Sequence, residues 1–186
     1  MSEVLEISHK NHISLLKLVM KFLIIIIQLL TFSFASFAKE DFKLKKITDL
    51  NNPWGLTFIS NEEVLVSDKE GEILLVNINN GSKQQVKHNL NFKVDGQGGL
   101  LEIIKHKDHV YMCYTEDRGS GKTSTSIARA SFSKTNLNFK NIFQANPPIN
   151  SGYHFGCRLV IQDDQYLYAS AGERGGGNIA QDFNQH

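Results

Sequence analysis

A chain of 186 residues has room for one globular domain, and its 41% hydrophobic content is ordinary for one that buries a core. The near balance of 20 Lys and Arg against 19 Asp and Glu gives a net charge of +1 and no polyanion-binding bias. Lys43, Lys45 and Lys46 are the densest basic group, without the interleaved aromatics a nucleic-acid surface needs, so nucleic acid is not an expected partner.

The first readable element is at the N-terminus. Lys17 and Lys21 precede the apolar run FLIIIIQLLTFSF (Phe22 to Phe34), and ASFA ends at Ala38. A charged start, an apolar run and a small-residue site are the three parts of a secretory signal. The run is short of the ~20 apolar residues of a membrane span. The expectation is therefore a signal peptide at residues 1–38, its true start being Met20 in a compact version. The mature chain would begin at Lys39, periplasmic or secreted, without a stable membrane span.

Beyond Lys39 the chain alternates short apolar runs with Asn, Gly, Ser and Asp. EVLVSD, EILLVNI, GLLEII, HVYMCYT, SIARASF and YLYASAG are rich in β-branched and aromatic residues, and no segment carries a sustained helical stripe. These are strands, and the fold class is all-β.

Three stretches repeat one pattern: PWGLTFISNEEVLVSDKEG from Pro53, QGGLLEIIKHKDHVYMCYTEDRG from Gln97 and HFGCRLVIQDDQYLYASAGERG from His154. Their anchor glycines, Gly55, Gly99 and Gly156, stand 44 and 57 residues apart, a spacing that suggests β-propeller blades. About two and a half repeats fit between Lys39 and His186, whereas a propeller closes with four to eight blades. Residues 39–186 therefore read as the truncated N-terminal part of a propeller domain.

Two positions before the anchor glycine the residue changes from Pro53 to Gln97 to His154. Pairing Ile161 with Tyr166 across the turn QDDQ sets His154 opposite Glu173, and pairing Ile104 with His109 across KHKD sets Gln97 opposite Glu116. Opposed side chains on an antiparallel pair are ~5 Å apart at Cβ, within reach of each other. An imidazole held by a carboxylate has a fixed tautomer and suits a general base. A structural His–Glu pair tying two strand ends together is the other reading, and spacing leaves both open. Gln97 reads as a ligand contact at the neighbouring blade mouth or as a turn residue. Arg158 reads as a partner for a carboxylate, and GERGGGN (Gly172 to Asn178) as a flexible loop.

Two further features have plainer readings. GSGKTSTS (Gly119 to Ser126) resembles a phosphate-binding loop, but Glu116 occupies the position of the required first glycine and a strand-like run follows. It is a hairpin loop. Cys113 and Cys157 are compatible with a disulfide in an exported protein. Each reads equally as a small buried apolar residue, since spacing does not show the Cα approach a bridge needs.

PWGLTF, GQGGLLEI, YHFGCRLV and AGERGGGNIAQD resemble, in order and roughly in spacing, the soluble quinoprotein glucose/sorbosone dehydrogenases, in particular their aldose sugar dehydrogenase branch. The resemblance implies a six-bladed propeller that oxidises an aldose sugar at its anomeric carbon. A hydride would pass to pyrroloquinoline quinone (PQQ) and on to a soluble electron acceptor. It implies that His154 removes the hydroxyl proton, that Glu173 orients it and that Gln97 contacts the sugar. Cys157 departs from the small residue of HFGGRL-type motifs. The resemblance puts the main PQQ anchors and the calcium ligands beyond His186, so it assigns no cofactor or metal residue within the chain. The competing expectations are a non-enzymatic exported propeller that binds a ligand or protein, and an inactive fragment.

Overall fold

A computed structural model describes residues 16–28 and 42–184. The chain divides into two units, Met1–Lys45 and Lys46–His186. In the first, residues 16–28 form an exposed helix. Among the described residues no helix is long and apolar enough to cross a membrane. The expected cleavage site at Ala38 lies outside the described residues.

The second unit begins with β1 (Pro53–Phe58), β2 (Glu63–Asp68), β3 (Ile73–Asn77) and β4 (Lys83–Gln85), a four-stranded antiparallel meander. After the two-residue β5 (Lys87–His88) come β6 (Leu100–His106), β7 (His109–Asp117) and β8 (Thr123–Ser131). A short β9 (Asn136–Leu137) pairs in parallel with β5, and β10 (Lys140–Gln144) returns beside β8. The second sheet thus runs β10-β8-β7-β6, and the hairpin of β11 (Leu159–Gln162) and β12 (Tyr166–Ala169) opens a third. This is the all-β, propeller-type arrangement of about two and a half blades expected from the repeat.

The blades are held by their alternating faces. Leu65, Ile73 and Leu75 of blade one pack with Leu100, Ile103, Val110 and Met112 of blade two in one buried cluster. The other face of blade two contributes Leu101, Cys113 and Ile127 to a second cluster with Phe155 and Leu159. A register shift between Leu100 and Ile103 changes the phase of β6, so Leu100 and Ile103 share a cluster although three positions apart. The repeat's anchor glycine has its reason in this packing. A Cβ on Gly55 would stand 2.9 Å from the backbone N of Ile103, so only glycine lets blade one approach β6 this closely.

The expected hairpin registers are corrected. Ile161 pairs with Leu167 and Gln162 with Tyr166, one residue away from the Ile161–Tyr166 pairing. Ile104 pairs with Tyr111 and His106 with His109, so the turn is the two residues Lys107 and Asp108. Gln97 consequently does not face Glu116. That carboxylate is buried on the opposite side of β7, accepting hydrogen bonds from Ser126, Asn141 and Gln144. The phosphate-loop lookalike is a hairpin loop between β7 and β8, closed by Arg118 N–H donating to the Lys122 carbonyl at 3.0 Å.

Candidate active site

His154 lies in the segment leading into β11, with its backbone in the left-handed region at φ 49°. A non-glycine residue held there costs on the order of 1 kcal/mol and persists only when its surroundings determine it. Two contacts do so. The His154 N–H donates to Gln97 Oε1 at 2.9 Å, and the His154 carbonyl accepts from the Arg174 N–H at 3.3 Å. A Cβ on Gly172 would come within 2.0 Å of that carbonyl oxygen, so glycine is required for the returning chain to lie against it.

The His154 ring Nδ1 is 2.6 Å from Glu173 Oε1. A carboxylate only accepts, so Nδ1 carries the proton and Nε2 is left as the basic nitrogen. The pair meets by side chain, beyond the last paired residues Leu159 and Ala169, and not as directly opposed ladder positions. The hydrogen bond from His154 is the main reason the Glu173 carboxyl is held below its ordinary value of 4.5. With the folded value depressed, this group's contribution to stability is complete above the ordinary carboxylate range and is lost as pH falls through the depressed value. A 13C titration of the Glu173 carboxyl is therefore expected to give a midpoint below 4.5. In His154→Ala the midpoint should move up, and one unmoved by the substitution would contradict the pairing.

His154 and Gln97 line a pocket of about 370 Å³ together with Trp54, Phe155, Gly156, Cys157 and Gly172. That volume is within the roughly 300–1,000 Å³ of small-molecule sites. Trp54 is the bulge residue of β1: Pro53 pairs with Asp68 and Gly55 with Ser67, leaving Trp54 unpaired between them. The bulge turns a half-exposed indole to the pocket wall, a contribution the strand pattern did not announce. Its signal was being the chain's single tryptophan, beside an anchor glycine. Arg158 has a structural role, donating to Glu102 Oε2 at 2.9 Å. Arg174 departs from the flexible-loop reading of GERGGGN, because it is only 8% exposed.

The cysteines are bonded. Cys113 of β7 and Cys157 form a disulfide with their Cα atoms 6.4 Å apart, correcting the reading of two separate apolar residues. The bridge ties blade two to the pocket wall three positions from His154.

A family model described as Glucose / Sorbosone dehydrogenase matches residues 50–186. The chain belongs to this family. It is 28% identical over 145 residues to aldose sugar dehydrogenase YliI of Escherichia coli K12, covering 73% of this chain and 39% of that protein. Among solved structures, the soluble aldose sugar dehydrogenase of E. coli in its apo form superposes with a TM-score of 0.70 at 26% identity, over 76% of this chain and 44% of that one. The PQQ-bound aldose sugar dehydrogenase of Streptomyces coelicolor gives 0.65 at 26% identity, over 75% and 43%. The chain thus spans about two fifths of the length of these relatives.

The cofactors implied by the glucose/sorbosone dehydrogenase family can be tested against these residues. Among the described residues no group of three or more His, Cys, Asp or Glu side chains is arranged to hold a metal ion, so calcium has no cage here. PQQ carries carboxylates that need counter-charge, and the lining of the His154 pocket includes no Lys or Arg. The pocket presents an imidazole, an amide and an indole: groups for a polar, partly apolar substrate, not an anchor for a polyanion.

Proposed function

We propose that the protein is an exported aldose dehydrogenase in which His154 is the general base. The observation that carries the reading is the 2.6 Å contact of Nδ1 with Glu173 at the wall of a pocket of substrate size. In the proposed reaction the anomeric hydroxyl gives its proton to Nε2 while the C1 hydride passes to PQQ, leaving a lactone and the reduced quinone. The two electrons then go to a soluble acceptor. The Glu173 carboxylate holds the ring in the Nδ1–H tautomer and stabilises the imidazolium that forms. Gln97 sets the His154 backbone and offers its side-chain amide to the sugar. No step here depends on how the quinone is held, because the described residues provide no anchor for it.

Export is supported by the signal-like N-terminus and by the disulfide, which suits an oxidising compartment. The test is dye-linked oxidation of a panel of aldoses by the full-length protein supplied with PQQ and calcium. Aldose-dependent dye reduction that requires PQQ is the expected result. A folded protein that binds sugar without reducing dye would be a non-enzymatic binding module instead.

A further inference from the structure

Arginine is rarely buried without a paired anion. Arg174 is 8% exposed, yet no carboxylate lies within ion-pair distance of it among the described residues. Its guanidinium is spent on neutral groups. Nε donates to the Tyr153 carbonyl at 3.2 Å, Nη1 to the Thr123 carbonyl at 3.2 Å, and Nη2 to Thr123 Oγ1 at 2.7 Å and to the Ser151 carbonyl. The fork also lies over the Phe155 ring, 3.7 Å from its centroid. Burial pulls the guanidinium down to about 10, against the opposing pull of the Asp95 charge.

These partners bracket the catalytic pair. Tyr153 and Phe155 are the residues on either side of His154, and Glu173 is the residue before Arg174. The Arg174 main chain adds two more ties: its N–H donates to the His154 carbonyl, and its own carbonyl accepts from Ser151 Oγ at 2.6 Å. Thr123, the first residue of β8, anchors the assembly to blade two. Both Arg174 (φ 59°) and His154 (φ 49°) are held in the left-handed region. Lysine could not replace this clamp, because one ammonium cannot span the Thr123 and Tyr153 carbonyls while stacking on Phe155.

We infer that Arg174 is a positioning residue whose guanidinium fork locks the His154 segment against the Glu173 turn, so that Nδ1 and Oε1 stay in contact. Its catalytic consequence rests on the role proposed for His154; the positioning itself does not.

The test uses the full-length protein labelled with 15N-histidine, with the His154 signals assigned by their loss in His154→Gln. In the wild type His154 should be in the Nδ1–H tautomer with a slowly exchanging Nδ1 proton. In Arg174→Lys and Arg174→Ala that exchange should accelerate by about tenfold or more, the scale of a lost charge-assisted hydrogen bond, and the Nε2–H tautomer should appear. Blade-two amide shifts should stay native. If the variants only lower the melting temperature and leave the His154 tautomer and exchange unchanged, the inference is overturned. It is equally overturned if both variants lose the β6–β8 amide dispersion, because Arg174 would then serve the fold as a whole. Turnover is read separately: a wild type that oxidises no aldose defeats the proposed function, while the histidine spectra still decide Arg174.

Discussion

Replacing both Cys113 and Cys157 by alanine is expected to lower the stability of the folded protein by about 4 kcal/mol. The chain-entropy estimate for a bridge closing a loop of this length, with a sequence separation of 44, gives that figure. Alanine is the informative substitution because Cys113 is fully buried and a serine hydroxyl there would add a desolvation cost of its own. For a chain of this size, a loss of that magnitude corresponds to a fall in melting temperature of roughly 8–16 °C. Differential scanning calorimetry of the double variant, and of wild type under reducing conditions, should give matching decreases. A shift under about 2 °C would show that the bridge adds little to the packing of Phe155 and Leu159 around it.

Replacing His154 by alanine in the PQQ-loaded protein is expected to cut aldose turnover by about 10²–10⁴-fold, the usual worth of a general base. Glu173→Gln should cost less. The amide oxygen can still accept from Nδ1–H and keep the ring oriented, and what disappears is the negative charge that stabilises the imidazolium. PQQ affinity should survive both changes, because the pocket around His154 contributes no counter-charge to the cofactor's carboxylates. Steady-state kinetics with a PQQ titration separates the two effects, and a loss of cofactor affinity that accounts for the whole fall in turnover would overturn the assignment.

The repeat made the His154–Glu173 meeting legible, because strand phase and the anchor glycines place these two residues at the same end of one hairpin. The register was less legible, for a local reason. The turn between β11 and β12 is the three residues Asp163 to Gln165, with Asp163 and Asp164 both in left-handed conformation, and a four-residue turn fits the apolar pattern almost equally well. At KHKD the same ambiguity moved Gln97 away from Glu116 and onto the His154 N–H. Trp54 was hidden because a bulge breaks the alternation that sequence patterns rely on. The disulfide was hidden because sequence separation carries no information on Cα approach. Arg174 was the most deceptive position. An arginine among glycines reads as solvated, and only the neighbouring carbonyls of Ser151, Tyr153 and Thr123 reveal why it is buried.

Chemical rescue of His154→Ala by added imidazole tests most directly whether His154 is the base. The substitution removes the ring from the wall of the pocket and leaves room for a free imidazole to take the same place. Turnover by the PQQ-saturated variant should rise with imidazole concentration, while the wild type should show no such gain. Turnover of the variant within about threefold of wild type, far short of the loss a missing base produces, would contradict the account, as would a full loss that imidazole leaves untouched at every concentration.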